Sequence, residues 1–340
     1  RSSAASDVYK RQSPYRVDFF SYMQKNFPEY EFHIIFSGAG MENRKWSVEM
    51  EEIEHYHFLK SKTIIIRKRF DDRYVFIPVG VEKTLNEIAP DVVFAMEYNP
   101  TILRAVHWCR KKKIPFISWT DGTLNSEKNI GKVQRLSRSY IIKRAAAFIA
   151  SSTASREAQI AYGADEKKCF ISYLTVDIQK YLYEKPQKTT QNEGLQLLYV
   201  GSLIQRKGLD LLLPALAKTP QNIRLWIVGE GQEKDLLQKQ CTELKISDRV
   251  EFLGYQEGEP LQKLYRTADA FVLPTREDCF GLVLLEAMCA SLPFYSVHYN
   301  PVFGLPFNQP TRKALMCAIS SAISYRPFTA FGEVDAIGPW

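Results

Sequence analysis

The residues best placed to do chemistry lie in the run Val272-Leu273-Pro274-Thr275-Arg276-Glu277-Asp278-Cys279-Phe280-Gly281-Leu282-Val283-Leu284-Leu285-Glu286-Ala287-Met288. Strand-forming residues end at Pro274, an acidic turn follows, and apolar residues at helical spacing begin near Phe280. Asp278 occupies the turn and Glu286 lies about two helical turns further on, so a helix packed beside a cleft would present both acids to one ligand. The backbone N–H groups of Phe280, Gly281 and Leu282 would face it as well, because the first amides of a helix have no partner inside the helix. This stretch alone is equally compatible with Asp278 as an ordinary helix cap and Glu286 as a solvated surface residue.

A second group is cationic. After a strand at 195–200 comes Gly201-Ser202-Leu203-Ile204-Gln205-Arg206-Lys207-Gly208 and then a helix at 209–217. Two glycines flanking a basic pair let backbone amides and an ammonium surround phosphate oxygens. It is not a P-loop, because the Gly-Lys-Ser/Thr signature is missing. Gly229-Glu230-Gly231 follows the next strand at 223–228, and Gly254 closes a strand at 250–253. All of these turns stand at strand carboxyl ends, the side on which open α/β sheets bind ligands, so they are expected along one edge of one sheet.

The elements that must hold these groups alternate. In the first half, helix 17–26 places Val17, Phe20 and Phe27 broadly on one side. Strand 32–36, β-rich residues 63–66, helix 81–88, strand 92–96, helix 101–112 and strand 114–119 follow. Helix 133–146, strand 148–150, helix 155–162 and strand 169–172 complete it. Such alternation implies a parallel, doubly wound α/β sheet. Asp121, in the turn Thr120-Asp121-Gly122 at a strand's carboxyl end, is the best polar candidate of this half. Residues 1–12 carry no hydrophobic period and read as an adaptor- or vector-derived tail. A helix before the first strand implies that an initial strand preceding Ser13 is missing, and the irregular stretch 325–340 implies truncation at the other end.

The expected organisation is therefore an N-terminal Rossmann-like unit at 13–185, a polar linker at 186–194 and a second Rossmann-like unit at 195–324. A chain of 340 residues with 45% hydrophobic content is long enough for two cores. Its net charge of +7 favours an anionic partner: nucleotide phosphates, a membrane surface or nucleic acid. No aromatic-basic stripe accompanies that charge, so nucleic acid is not expected. Lys111-Lys112-Lys113 reads as a solvated helix end that complements the helix dipole, or as a patch for acidic headgroups. Six cysteines without a CxxC pair read as reduced and packed, with no metal site. No apolar run reaches the roughly 20 residues that span a bilayer, so a cytoplasmic protein with at most peripheral contact with an anionic membrane is expected.

Residues 195 to about 297 resemble the nucleotide-binding domain of GT-B retaining glycosyltransferases of family 4, the group 1 glycosyltransferases. The resemblance rests on Gly201 with Lys207-Gly208, Val228-Gly229-Glu230-Gly231, Val250-Glu251-Phe252-Leu253-Gly254, Ala268 to Thr275, and Asp278 to Met288. Residues 13–185 resemble the acceptor-side domain more loosely, with Ser13-Pro14-Tyr15-Arg16 like the loop after its first strand. The resemblance implies two Rossmann-like domains facing across a cleft. It also implies transfer of a sugar, with retention, from a nucleoside-diphosphate sugar such as a UDP- or GDP-sugar. The acceptor would be a hydroxyl of a glycan, lipid-linked glycan or glycolipid, as in surface polysaccharide synthesis, and no metal is obligatory.

In those terms Lys207, with Arg206 and the amides near Phe280, Gly281 and Leu282, binds the donor diphosphate. Glu286 holds the ribose hydroxyls. Asp278, with Glu277 before it and Cys279 after it, faces the donor sugar. Backbone around Phe252, Leu253 and Gly254 meets the base, and Gly201, Ser202, Gly229 and Glu230 line the same edge. Three departures stand out: Asp278 replaces a family glutamate, Ser202 stands where arginine is common, and no histidine accompanies Thr120-Asp121, which leaves a carbonyl or a carboxylate to contact the sugar, with Asp121 as the candidate. A nucleotide-binding scaffold without turnover and a nucleotide-sugar epimerase on the same fold are the alternative readings.

Overall fold

The computed structural model describes residues 14–37, 53–66, 73–182, 194–276, 278 and 280–296. The expected tails and missing first strand, residues 186–193 of the linker, and everything beyond Ser296, including the helix expected within 297–324, lie outside them. So do Glu277 and Cys279.

The N-terminal half opens with α1 (Pro14–Asn26), β1 (Ile34–Phe36), β2 (Tyr56–Phe58), β3 (Lys60–Ile66) and β4 (Arg73–Val79). It continues with α2 (Val81–Ile88), β5 (Val93–Met96), α3 (Pro100–Lys112), β6 (Phe116–Thr120) and α4 (Lys132–Ile142). It closes with β7 (Ala147–Ala150), α5 (Thr153–Ala161), β8 (Cys169–Ile171) and the short α6 (Ile178–Tyr181). Strands β5-β6-β7-β8 form a parallel sheet, and β1 pairs in parallel with β2. Strands β3 and β4 pair antiparallel, which the alternation of strands and helices did not indicate. Only residues 67–72 separate the two strands, too short a connection for the crossover a parallel pair needs. Val17 and Phe20 are buried as the helical pattern requires, whereas Phe27 lies beyond the end of α1 and is exposed.

The C-terminal half runs β9 (Leu195–Val200), α7 (Leu209–Leu216), β10 (Ile223–Val228), α8 (Lys234–Glu243) and β11 (Val250–Gly254). Then come α9 (Gly258–Thr267), β12 (Ala270–Leu273), α10 (Leu282–Cys289) and β13 (Phe294–Ser296). These strands form one parallel sheet in the order β11-β10-β9-β12-β13. Central β9 is apolar on both faces because helices cover both, and Leu197, Leu198 and Tyr199 are fully buried. Chain order reverses beside β9: the sequence first builds outward through β10 and β11, then returns to place β12 on the other flank. That reversal opens a crevice at the strand carboxyl ends.

Helix α7 contains Pro214, whose ring leaves the carbonyl four residues back without its helical donor. That carbonyl, of Asp210, accepts instead from Gln240 Nε2 at 3.1 Å, so α8 compensates the break. Among the described cysteines Cys109, Cys169 and Cys241 are buried and Cys289 partly buried, all as free thiols.

Candidate active site

The four turns at the carboxyl edge of the C-terminal sheet are laced together by their backbones. Gly201 N–H donates to the Val228 carbonyl, Leu203 N–H to Glu230, and Gly229 N–H to Gly254, at 2.8–3.0 Å. The approach leaves no room for side chains: a Cβ on Gly229 would lie 2.0 Å from the Gly201 carbonyl oxygen, and one on Gly208 2.0 Å from that of Pro274. Both glycines also have positive φ, +136° and +76°, which only glycine adopts without strain. From beneath, the buried Tyr199 donates its hydroxyl to the Ser202 carbonyl at 3.0 Å.

The basic loop and the acidic turn are stapled by Arg276. Its backbone N–H donates to the Arg206 carbonyl at 2.8 Å. Its guanidinium donates to the Gln205 carbonyl at 2.5 Å and bidentately to the Asp210 carboxylate at 2.7 and 2.6 Å. A rigid two-toothed contact of this kind fixes orientation as well as distance. The outcome is that Lys207 Nζ meets Asp278 Oδ2 at 2.5 Å although 71 residues separate them. Both side chains are mostly shielded, at 15% and 23% exposure, so the pair is screened less than a surface one.

Helix α10 begins at Leu282 rather than Phe280, because Gly281 takes φ +77° and serves as the cap with no side-chain cap bond. Asp278 is therefore not the helix cap; its carboxylate is turned to Lys207. Nor is Glu286 a solvated face residue. It is partly buried, and its Oε2 accepts from the fully buried Tyr265 hydroxyl at 2.7 Å. Burial raises the Glu286 carboxyl above the ordinary value of 4.5, while hydrogen bonds from Tyr265 and Tyr181 pull it down.

In the N-terminal half Asp121 sits in the turn after β6, its carbonyl accepting from Ser155 Oγ at 3.0 Å. Burial raises its carboxyl, the Arg16 guanidinium opposes that, and the negative charges of Asp278 and Glu127 add to it. Asp121 and Asp278, from different halves, thus lie within electrostatic reach of each other. Arg16 is itself buried, with Trp119 and Tyr15 rings 5.7 and 5.2 Å from its guanidinium carbon. Behind the turn Glu127 pairs bidentately with Arg138, which stacks 4.9 Å from the Tyr98 ring.

Residues 183–303 match the family described as glycosyl transferases group 1. The chain is 39% identical, across 105 residues, to an uncharacterized glycosyltransferase of Methanocaldococcus jannaschii, covering 30% of this chain and 27% of the relative. It is 33% identical over 113 residues to the lipopolysaccharide core biosynthesis glycosyltransferase LpsE of Rhizobium meliloti, covering 33% of this chain and 32% of LpsE. Each match therefore spans about a third or less of the curated relative. The whole fold is shared more widely. The crystal structure of Anabaena HepE in complex with UDP superposes with a TM-score of 0.74 at 16% identity, over 95% of this chain and 90% of that one. The chain thus has the GT-B fold of two Rossmann-like α/β units expected from its sequence.

The group 1 segment contains every donor-side position singled out in the sequence, and Asp121 lies outside it. The structure brings Lys207, Arg206 and Asp278 together, with Gly201, Ser202, Gly229 and Glu230 along the same edge. Glu230 also pairs with Lys234 at 3.3 Å. Phe252, Leu253 and Gly254 end the edge strand β11. Two of its carbonyls already accept hydrogen bonds, Leu253 from Gln256 Nε2 at 2.8 Å and Gly254 from Gly229 N–H. Glu286 stands about 7.5 Å along the helix axis from Gly281 at the usual rise per residue. Sequence reasoning missed Arg276, Asp210, Tyr199, Tyr265 and Tyr181. The tyrosines read as core residues, and an arginine in a polar turn gives no sign of which carboxylate it will find. Among the described residues no group of three or more His, Cys, Asp or Glu side chains is arranged to hold a metal ion.

Proposed function

We propose that this chain is a retaining glycosyltransferase that moves a sugar from a UDP- or GDP-sugar to a hydroxyl of a glycan, lipid-linked or glycolipid acceptor, in surface polysaccharide synthesis. The observation that carries the proposal is the convergence of Lys207 and Asp278 at the crevice where the strand order reverses. An ammonium shielded from water and held by an acid is poised to exchange that acid for a more highly charged diphosphate. On donor binding Lys207 and Arg206 take the diphosphate, and their charge stabilises the negative charge that grows on it as the glycosidic bond breaks. Asp278, released from Lys207, turns to the sugar hydroxyls. Glu286 accepts from both vicinal ribose hydroxyls, which a carboxylate can do at once. Asp121 approaches the sugar from the N-terminal half, and the acceptor hydroxyl enters from that side.

Support comes from the group 1 match over the segment that carries these groups, from a relative named for lipopolysaccharide core synthesis, and from a neighbour crystallised with UDP. Peripheral contact with an anionic membrane belongs to the same reading. Lys111, Lys112 and Lys113 are exposed at the end of α3, beside an open recess of about 460 Å³ whose rim carries Arg110, Lys143 and Arg144. No described helix is long and apolar enough to cross a membrane.

Incubation with labelled UDP- and GDP-sugars, with and without lipid-linked or glycan acceptors, tests the proposal. Acceptor-dependent transfer with retained anomeric configuration supports it. Binding without turnover leaves a scaffold, and isomerisation of the donor alone makes the chain an epimerase.

A further inference from the structure

We propose that α6 is a strap that holds the donor-site carboxylate of Glu286 through Tyr181 and ties it to the N-terminal half through the neighbouring Lys180. The inference rests on the reading of Glu286 as the ribose ligand and adds the residues that position it.

Glu286 is gripped by phenols from two different elements. Tyr265, on α9, is fully buried, lies 5.7 Å from the Phe271 ring at 29°, and donates its hydroxyl to Glu286 Oε2 at 2.7 Å. Tyr181, on α6, meets the Tyr265 ring edge-on at 5.7 Å and 89°, which sets a second phenol beside the carboxylate, where it helps lower the Glu286 pKa. A carboxylate offers about four acceptor positions, so the Tyr265 bond, with the Tyr181 phenol beside it, leaves room for a vicinal diol. They also fix the plane in which that diol must arrive; without them a glutamate side chain on a helix surface samples several rotamers.

The residue before Tyr181 reaches the N-terminal half. Lys180 Nζ pairs with Asp18 Oδ1 at 2.8 Å, and Asp18 lies on α1. The same helix carries Arg16, whose charge acts on Asp121. Asp177 secures the start of the turn by accepting from Gln179 N–H at 3.0 Å. One turn of helix therefore joins α1 of the acceptor half to the ribose ligand of the donor half through adjacent side chains. Tyr181 and Tyr265 are positioning residues: they touch Glu286 and not the reacting atoms.

The test is calorimetric titration of the full chain with UDP and GDP and with their 2′-deoxy counterparts. Wild type should prefer the ribonucleotide, and Glu286→Ala should erase the preference. Tyr181→Phe and Tyr265→Phe should each weaken ribonucleotide binding about tenfold while leaving deoxynucleotide binding unchanged, the loss expected for a hydrogen bond to a charged group. Asp18→Asn should act in the same direction by about twofold, the size of a partly exposed ion pair. A fall in ribo- and deoxynucleotide binding alike, or no fall in either tyrosine variant, overturns the positioning role. An unchanged ratio in Asp18→Asn overturns the strap. Wild type binding neither nucleotide, or Glu286→Ala keeping the preference, refutes the ribose reading itself and the inference with it.

Discussion

The two halves of the molecule put functional groups at strand carboxyl ends by different means. In the C-terminal half backbone meets backbone: Gly201, Gly208, Gly229 and Gly231 stand where a Cβ would collide with a carbonyl or a hydroxyl, and the turns they form are hydrogen-bonded to one another. In the N-terminal half Asp121 depends on side chains: the charges of Arg16 and Glu127 act on it, and these are held in turn by Trp119 and Arg138. Its glycines at 80 and 163 have positive φ but open space about them. Close backbone approach demands glycine and so writes itself into the sequence, whereas a cluster of side chains can be built in many ways and leaves no fixed spacing.

The largest expected effect is that of Lys207→Ala. On the proposed reading Lys207 is the cation assigned to the leaving diphosphate, so its removal should lower the transfer rate about 10²- to 10³-fold while the melting temperature stays near wild type. Retained transfer would move the phosphate site elsewhere. Gly229→Ala should destabilise the fold by about 3 kcal/mol or more, since the new methyl meets a backbone carbonyl and the φ is strained. Gly80→Ala, strained in φ alone, should cost only about 1 kcal/mol. Equal losses in chemical denaturation would erase the contrast between the halves. Arg276→Lys keeps the charge but gives up the two-toothed contact with Asp210, and nucleotide affinity should fall about tenfold. An unchanged affinity would show that Lys207 needs no staple.

The smallest effect concerns Glu286→Gln in the unliganded chain. Because burial raises this carboxyl, the folded state holds its proton more tightly than the unfolded chain does. Stability contributed by the group is therefore present at low pH and is lost as pH rises from the ordinary glutamate value through the folded one. The variant should melt at or above wild type at neutral pH, and the gap should close on acidification below about 4.5, while nucleotide affinity drops. A gap that widens on acidification would mean that the folded state holds this proton less tightly than the unfolded chain.

These contrasts explain what could be read in advance. The alternation of strands and helices, the four glycine-bearing turns and the acids at 278 and 286 follow from periodicity and from residue types that tolerate few neighbours. The β3–β4 hairpin escaped because a β-rich run does not declare the direction of its partner. The start of α10 shifted because Gly281 caps the helix through its backbone conformation and not through a side chain. Arg276 and the two tyrosines escaped for a deeper reason: each acts on another side chain, and such pairs exist only after the sheet has brought distant segments together.

The most direct measurement is a crystal structure of the chain with UDP or a UDP-sugar bound. The account predicts the diphosphate within ion-pair distance of Lys207 Nζ, with Asp278 turned toward the sugar and the ribose hydroxyls on the Glu286 carboxylate. A nucleotide seated away from the β9–β12 crevice, with the Lys207–Asp278 pair intact, would contradict it.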